Sequence, residues 1–347
     1  MTHFWIRAEE RANEERTGIT PDGAAKLIAA GFDITVEESL QRAIPISAYK
    51  EAGCAIAPQA SWHDAPDNAV IFGLKELPEA DTPLHHRHIM FGHAYKGQAS
   101  GRKLLDRFKA GGGTLLDLEY LTHAGGKRVA AFGYWAGYAG AAVALHCWLA
   151  QQNDGQLAGE VSTYPNAEAL VSDLRNRMTG DAPDAMIIGA LGRVGSGAAA
   201  FCDAVGIKTT KWDKNETENG GPFPEILTHQ IFLNCILAHP GTPVFVAANA
   251  AKDSDRALRV IGDIACDPES EFSPVKVYDR TTTWQRPALR VHGDPLLDVT
   301  AIDNLPAMLP KESSEDFAEQ LLPHLLEYDR DPDSIWLRAR DLFVENV

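Results

Sequence analysis

Cysteine is scarce in this chain, and the few cysteines form no close pair. The five of them, at positions 54, 147, 202, 235 and 266, are dispersed and show no CxxC spacing. This pattern argues against a disulfide framework and against a structural zinc site. It is typical of small buried residues in a reducing compartment, so we expect a cytoplasmic protein that binds no metal.

Basic residues are also few relative to acidic ones. Lysine and arginine total 32 against 48 aspartates and glutamates, which gives a net charge of −16. Because this charge repels phosphate backbones and anionic lipids, we expect no nucleic-acid or membrane partner. An anionic small molecule would need a local cluster of arginines.

Long apolar runs are missing, with the exception of residues 129–150, "VAAFGYWAGYAGAAVALHCWLA". The length of this run would span a bilayer. Its composition of alanine and glycine gives a weak insertion free energy and suits close packing between helices. We therefore predict a buried helix. The first residues reach charge too soon for a signal peptide.

Helix and strand patterns alternate along the chain without an internal repeat. This alternation predicts parallel α/β sheets, and 347 residues suggest two domains. Two amphipathic helices at the C-terminal end are expected to return to the first domain. The strands predicted for the second domain are "DAMII", "TTKWD", "IFLNCIL", "VFVAAN", "LRVIGDI" and "VKVYD".

The clearest local motif is "MIIGALGRVGSG", residues 186–197. An apolar strand runs into three glycines, and a helix is predicted from about Ser196. Such a turn brings free N–H groups to a pyrophosphate. The next predicted strand ends at Asp213, where a carboxylate accepts hydrogen bonds from both ribose hydroxyls and repels a 2′-phosphate. The motif predicts NAD rather than NADP, and the alternative is a tight turn beside a surface aspartate.

Lys75 follows a predicted buried strand in "IFGLKELPE". Two interpretations stay open for it. It is either a solvated loop lysine paired with Glu76 or Glu79, or a lysine in a cleft that acts as a base because burial lowers its pKa.

Four histidines lie within residues 85–93, "HHRHIMFGH". Their spacing matches neither an HExxH helix nor a Cys/His zinc module, so we predict no metal site. His93 lies two residues after Phe91 in a predicted strand, where the two side chains would share a face. It is either a hydrogen-bonded structural residue or an acid–base group.

Several segments together resemble the NAD-dependent, lysine-forming saccharopine dehydrogenases, within the wider group of alanine dehydrogenase and transhydrogenase. The resemblance covers nearly the whole chain in order. Its segments are "RAEERANEERTGITP", "GLKELPEADTPL", "FGHAYKGQ", "GKRVAAFGYWAGYAGAA", "IIGALGRVGSG", "GGPFPEI" and "IDNLPAMLP".

The resemblance implies two Rossmann-like domains with parallel sheets and an active site in the cleft between them. Residues 1–131 plus 309–347 would form the substrate and catalytic domain, and residues 132–308 the NAD-binding domain. The implied reaction is oxidative deamination of saccharopine with NAD and water, which gives L-lysine, 2-oxoglutarate and NADH. The protein would be a monomer or a weak homo-oligomer.

Carried over by position, the resemblance implies a catalytic base at Lys75 and a second acid–base group at His93. Substrate contacts are implied at Arg16, Gln98, Arg128, Phe132, Ala265, Cys266 and Asp267. Cofactor contacts are implied at Lys127, Gly192, Arg193, Asp213, Thr217, Leu237, Ile264, Ile302, Asp303, Asn304 and Leu305.

The sequence departs from the family pattern at several of these positions. Lys127 stands where arginine is expected, and Leu237 where tyrosine is expected. Val194 replaces a cysteine that in fungal relatives could pair with the one matching Cys235. Ala265-Cys266 replaces a serine-alanine pair beside the substrate. The resemblance therefore defines the type of reaction more closely than it defines the amine substrate.

The residue types suit the implied reaction. A base must first remove a proton from the bridging amine of saccharopine, and a group that titrates near neutral pH must assist hydrolysis of the imine. Two alternatives stay open. One is an NAD-dependent dehydrogenase for another opine-type amine or a small amino acid such as alanine, and the other is a catalytically silent NAD-binding regulator.

Overall fold

The computed structural model describes residues 2–330 and 335–347, and the chain divides into two compact units. Unit 1 comprises Met1–Ala131 and Pro310–Val347, and unit 2 comprises Phe132–Leu309. Both C-terminal helices therefore belong to unit 1, although 178 residues of unit 2 precede them in the chain.

Unit 1 is an α/β fold around a six-stranded sheet. Its strands are β1 (His3–Ile6), β2 (Asp33–Glu37), β3 (Ala55–Ala57), β4 (Ala69–Phe72), β5 (Arg87–Met90) and β6 (Thr114–Asp117). Its helices are α1 (Pro21–Ala29), α2 (Ile46–Glu51), α3 (Ala99–Gly111), α8 (Pro310–Leu326) and α9 (Ile335–Asn346).

The strands of unit 1 lie in the order β3-β2-β1-β4-β5-β6, and every neighbouring pair is parallel. All four residues of β4, "AVIF", are buried, as expected for a strand covered on both faces. Because the strands are parallel, their carboxyl ends meet at one edge of the sheet. The loops that follow β1, β4, β5 and β6 leave from that edge.

Unit 2 contains the remaining elements. Its strands are β7 (Asp184–Ile188), β8 (Lys208–Trp212), β9 (Ile231–Asn234), β10 (Val260–Asp263), β11 (Leu289–Gly293) and β12 (Leu296–Thr300). Its helices are α4 (Gly133–Gln152), α5 (Ala167–Arg177), α6 (Arg193–Val205) and α7 (Lys214–Thr217).

The sheet of unit 2 has the order β11-β12-β10-β9-β7-β8. The pairs are parallel except β11 with β12, an antiparallel hairpin that the sequence analysis missed. Helix α4 corresponds to the long apolar run, and most of its residues are buried in the hydrophobic core of this unit. Among the described residues, no helix combines the length and the apolar character that crossing a membrane requires.

Two predicted strands of unit 2 are wrong. "VFVAAN" and "VKVYD" meet only in an isolated bridge between Val246 and Val275. The carbonyl oxygen of Pro274 accepts hydrogen bonds from the N–H groups of both Phe245 and Val246, at 2.8 and 3.0 Å. Since Pro274 has no N–H to return, a regular ladder does not form there.

Two smaller predictions also need correction. The helix after the glycine motif begins at Arg193, three residues before the predicted start. His93 does not lie in a strand, because β5 ends at Met90 and His93 has a φ of +49°. The rings of Phe91 and His93 still face each other, with centroids 6.2 Å apart.

Candidate active site

The glycine-rich loop of unit 2 lies beside the carboxyl end of β8. Gly189 and Ala190 donate their N–H groups to the carbonyl oxygen of Trp212, each at 3.0 Å. Leu191 donates its N–H to Oδ2 of Asp213 at 2.9 Å. Gly189 has a φ of +87°, a conformation that other residues rarely adopt. The loop and the predicted ribose-binding carboxylate are therefore brought together.

Asp213 also begins the next helix. Its carboxylate and N–H form a capping box with the first turn of α7, and its carbonyl oxygen accepts a hydrogen bond from the Thr217 hydroxyl at 3.0 Å. Gly192 is the N-cap of α6 and Arg193 is its first residue. Four of the predicted cofactor contacts thus lie around one loop and two helix starts, where N–H groups and a carboxylate suit phosphates and ribose hydroxyls.

The other predicted cofactor residues of unit 2 follow later strands. Leu237 comes after β9 and is 71% exposed, and Ile264 directly follows β10. Ile302 and Leu305 are buried in the hydrophobic core, so their side chains are committed to packing. Asp303 between them is exposed.

The segment 265–267, where substrate contacts are predicted, is organised by a buried carboxylate. Asp263 accepts hydrogen bonds from the Tyr278 hydroxyl at 2.7 Å and from the Asn234 amide at 2.9 Å, and burial raises its pKa. The backbone N–H groups of Ala265 and Cys266 also point to it. Burial raises the pKa of the Cys266 thiol to about 12, so it stays neutral at physiological pH.

In unit 1, Lys75 is half buried in the loop after β4. Near it, Arg16 donates two hydrogen bonds to the carboxylate of Glu14, at 2.7 and 2.6 Å, and both side chains are buried. Burial acts to raise the pKa of Glu14, but the positive charges of Arg16 and Lys75 bring it below its ordinary value. The Lys75 ammonium therefore lies close enough to stabilise this carboxylate.

The two glutamates considered above as partners of Lys75 each have another cation. Glu79 is 3.0 Å from Lys103, and Glu76 is 3.6 Å from Arg11. Their charges are thus partly committed elsewhere, which weakens the interpretation of Lys75 as half of a surface pair.

His93 belongs to a charged group after β5 and β6. Its Nδ1 is 3.4 Å from Oε2 of Glu119, and Nζ of Lys96 is 2.8 Å from Oε1. Burial acts to raise the pKa of Glu119, but Lys96, His93 and Arg128 lower it below its ordinary value. The Glu119 carboxylate therefore joins His93 and Lys96 in one cluster at this edge of the sheet.

Asp117 lies beneath this group and was missed from the sequence. It is the last residue of β6 and only 1% exposed. Its Oδ1 accepts the N–H of Glu119 at 2.9 Å, and the backbone N–H of Gly92 also points to the carboxylate. Burial raises the pKa of Asp117 to about 6. An aspartate that directly ends the apolar strand "TLLD" is a signal that could have identified it.

A cavity of about 460 Å³ opens in unit 1 at the carboxyl ends of β4 and β5. It brings together His93 and Gln98, two of the predicted site residues. Its charged lining has both signs, which suits a ligand with amino and carboxylate groups. The charged residues are Glu10, Arg11, Glu76, Glu79, Lys103 and Arg107.

The remaining predicted residues are placed more simply. Lys127 and Arg128 are exposed at the end of a loop in unit 1, where Arg128 pairs with Thr122 in an isolated bridge. Phe132 is the N-cap of α4 in unit 2. Within residues 2–330 and 335–347, no three His, Cys, Asp or Glu side chains are grouped as a metal ion requires.

Arg7 and Glu9, which were not predicted as site residues, form a buried ion pair with 3.6 Å between Nη1 and Oε2. A signal was present, because the charged run "RAEE" directly follows the apolar strand β1.

Curated relatives match the chain along its full length. The NAD(+), L-lysine-forming saccharopine dehydrogenase of Neurospora crassa is 43% identical, over 100% of this chain and 96% of the relative. This chain belongs to the same family. A saccharopine dehydrogenase of the same type from Candida glabrata is 44% identical over 97% of this chain and 95% of its own. The family predicted from the sequence is thereby confirmed.

The wider group is supported independently of these saccharopine dehydrogenases. Residues 5–139 match the family profile described as alanine dehydrogenase/PNT, N-terminal domain. A solved L-alanine dehydrogenase covers 100% of this chain and 94% of its own with a TM-score of 0.68, at 16% identity. This likeness confirms the predicted α/β fold with two parallel-sheet domains, and it speaks for the fold alone.

Proposed function

We propose that the protein catalyses the reversible, NAD-dependent oxidative deamination of saccharopine to L-lysine and 2-oxoglutarate, with Lys75 as the base and His93 as the acid–base group. The observation that supports it is identity of about two residues in five with saccharopine dehydrogenases over the whole chain. Membership of this family makes the chain an NAD-dependent oxidoreductase that acts on CH–NH donors.

The residues of unit 2 fit the cofactor. The Asp213 carboxylate keeps lone pairs for ribose hydroxyls while it accepts the N–H of Leu191, and the start of α6 offers N–H groups for the pyrophosphate. NAD, when bound, supplies the hydride acceptor. We propose residues 132–308 as the NAD-binding domain and residues 1–131 plus 309–347 as the substrate domain.

The location of Lys75 supports its proposed role as the base. Hydride cannot leave the carbon of saccharopine while the bridging amine is protonated, so a neighbouring group must first take that proton. Lys75 lies at the carboxyl edge of the unit 1 sheet, which is where open α/β sheets bind ligands. The neutral amine of Lys75 accepts the proton, and the ion pair of Glu14 with Arg16 stabilises the ammonium that results.

His93 is suited to the second half of the reaction. The imine formed by oxidation must gain water and then collapse to amine and ketone, which requires a group that both gives and takes protons near neutral pH. His93 lines the cavity of unit 1, and its Nδ1 lies 3.4 Å from Oε2 of Glu119, a contact that orients the ring.

Arg128 and Gln98 are the proposed contacts for the substrate carboxylates. Both side chains are exposed in unit 1, so they meet a ligand without breaking a buried pair. Arg16 differs, because one edge of its guanidinium is bound to Glu14. We therefore propose two roles for Arg16: it contacts the substrate, and it holds the Glu14 carboxylate near Lys75.

The test is a direct assay with purified protein, NAD and saccharopine, in which the absorbance of NADH is followed over time. We expect NADH to form with saccharopine and not with alanine. A turnover of alanine equal to that of saccharopine would contradict the proposal.

A related amine is the second candidate substrate, because the turn at Ala265 and Cys266 departs from the family pattern and carries a neutral thiol. The same assay with other opine-type amines tests it. Formation of L-lysine, measured by chromatography, separates saccharopine from these amines.

We further propose that the enzyme acts in the cytoplasm as a monomer or weak homo-oligomer. Fractionation of cells and the sedimentation of the purified protein at several concentrations test the two statements separately.

A further inference from the structure

The backbone around Lys75 is held more tightly than that of an ordinary loop. Leu74 donates its N–H to Oε1 of Glu9 at 2.6 Å, and Lys75 donates its N–H to Oε2 of the same carboxylate at 3.0 Å. On the other side of the residue, the Arg7 guanidinium donates a hydrogen bond to the carbonyl oxygen of Lys75. One ion pair therefore binds both the N–H and the C=O of Lys75.

The residues just before Lys75 are fixed to the sheet as well. Gly73 donates its N–H to the carbonyl oxygen of Ile89 at 2.9 Å, and Leu74 accepts the N–H of Phe91 at the same distance. A side chain at Gly73 would collide with the Arg7 guanidinium, so this position must remain glycine for the arginine to pass beneath the loop. These contacts extend the parallel sheet to the residue that precedes Lys75.

The ion pair is buried. Arg7 is 1% exposed and Glu9 is 7% exposed, with 3.6 Å between Nη1 and Oε2. Buried charges are expensive to desolvate, and a pair of apolar residues of similar size would often be at least as stabilising. Stability alone therefore gives a weak reason for this pair, whereas the fixing of one particular backbone segment gives a specific one.

We infer that Glu9 and Arg7 are positioning residues for Lys75, which set the point from which its side chain reaches the substrate. This inference rests on the proposed role of Lys75 as the base. The lysine amine is connected to Cα through four rotatable bonds. Fixing the backbone on both sides of Cα therefore restricts where the nitrogen can lie. A displacement of about 1 Å at a reacting group lowers rates by about 100-fold.

The test is a double-mutant cycle of Glu9→Gln with Lys75→Met, assayed with saccharopine and NAD. Glutamine keeps one acceptor oxygen but turns an NH₂ group toward the second backbone N–H. We expect Glu9→Gln to lower kcat by about 10-fold to 100-fold when Lys75 is present. In the Lys75→Met protein, the same change should lower the residual rate less than about 2-fold, because there is no amine left to position.

Asp298→Asn is the matched control. Asp298 is a fully buried carboxylate of unit 2, which accepts hydrogen bonds from the Gln151 amide and from the Arg290 guanidinium. Its loss reports the effect of general destabilisation on kcat. We expect it to lower the melting temperature with less than about a 3-fold change in kcat, unlike Glu9→Gln.

If Glu9→Gln does not fold, Arg7→Lys takes its place in the same cycle, since lysine keeps the charge opposite Glu9 and loses the guanidinium fork. Equal losses with and without Lys75 would show a purely structural role and overturn the inference. Near-normal turnover of Lys75→Met alone would instead remove the proposed base, and the positioning role with it, so the two failures are distinguishable.

Discussion

The loops at the carboxyl edges of the two sheets differ in their residue types. In unit 1 the loop after β1 and the end of β6 carry charged side chains that are nearly inaccessible to solvent, namely Glu9, Glu14 and Asp117. In unit 2 the corresponding loop after β7 consists of Gly189, Ala190, Leu191 and Gly192, and the carboxylate of Asp213 lies beside it. The buried carboxylate described at this edge, Asp263, ends another strand, β10. Both edges belong to parallel sheets, so the topology does not explain the contrast.

The difference teaches what each kind of chemistry requires. A nucleotide presents phosphates and hydroxyls that backbone N–H groups and one carboxylate can bind. A nucleotide-binding loop therefore needs small residues that let the backbone approach the ligand more than it needs charged side chains. Proton transfer requires side chains whose charge can change, and these must be held by other charges when water is scarce. We therefore expect substitutions at the edge of unit 1 to impair proton transfer, substrate binding or stability, and substitutions at the edge of unit 2 to impair use of the cofactor.

Lys75→Met should produce the largest effect. We expect saccharopine oxidation to slow by about 10²–10⁴-fold, the usual range for loss of a general base, while the affinity for NADH is retained. The residual rate should rise with pH, since solvent must then deprotonate the amine. The measurements are steady-state kinetics between pH 6 and 10 and a fluorescence titration with NADH.

Lys26→Met is the matched control for that change, because Lys26 is exposed on α1 and pairs only with the surface residue Asp22 in the contacts seen. It should behave like the unmodified protein. A Lys75→Met enzyme with near-normal turnover at neutral pH would return Lys75 to the interpretation of a solvated loop lysine.

Arginine removal separates buried from exposed charge within unit 1. Arg128→Ala should lower kcat/KM for saccharopine by a factor that corresponds to about 2–5 kcal/mol, the cost of leaving a bound carboxylate without its charged partner. The melting temperature should change little. Arg16→Ala should weaken it too, but it should also destabilise the fold by about 3–5 kcal/mol, because Glu14 is left buried without its partner. Both variants should bind NADH normally.

Kinetics with saccharopine, NADH titration and thermal unfolding measure these three quantities. Weaker NADH binding with an unchanged KM for the amine would place either arginine on the cofactor side. An unchanged melting temperature for Arg16→Ala would mean that Glu14 becomes protonated or solvated at little cost.

Asp213→Ala tests the edge of unit 2. Hydrogen bonds to a charged group contribute about 1.5–3 kcal/mol, so we expect kcat/KM for NAD to fall by about 10-fold to 100-fold. The value of kcat/KM for NADP should fall less or rise, because the carboxylate that repels its 2′-phosphate is gone. The ratio of kcat/KM for NAD to that for NADP should therefore decrease. Equal kcat/KM for NAD and NADP in the unmodified protein would contradict the role of Asp213.

Asp117 should give the smallest and most specific effect. Because burial raises its pKa from 3.8 to about 6, the folded state favours the protonated carboxyl, and this contribution is complete below pH 3.8 and lost as the pH rises through 6. Ionisation should then lower stability by about 3 kcal/mol at most. Asp117→Asn should remove this part of the pH dependence, which urea unfolding between pH 4 and 8 measures. A slope unchanged by the substitution would contradict the assignment.

The order of most elements and the glycine-rich turn after β7 could be predicted from the sequence because they depend on local patterns. Apolar strands, helix caps such as Thr20 and the spacing from Gly189 to Asp213 are all short-range signals. The hairpin β11–β12 was missed since its residues alternate weakly, and "VKVYD" was wrongly predicted because Pro274 interrupts the ladder.

The buried charges of the candidate site could be predicted only in part. The resemblance predicts Lys75 and His93 as site residues, but the residues that bind them follow other strands. The contact of Glu9 with Lys75 joins residues 66 positions apart, and nothing in either local pattern specifies it. The turn at His93, with its positive φ, likewise depends on tertiary contacts that override the apparent strand pattern.

The division of unit 1 into two chain segments has a consequence for synthesis on the ribosome. Unit 2 is complete once residue 309 has emerged, whereas unit 1 must wait for residues 310–347, which supply Phe343 to its core and the Ser314 hydroxyl that binds the N–H of Thr17. Domains generally fold as units during translation. Unit 2 should therefore reach its native state first, and the nascent unit 1, which bears Lys75, stays open to chaperones until the last helices arrive.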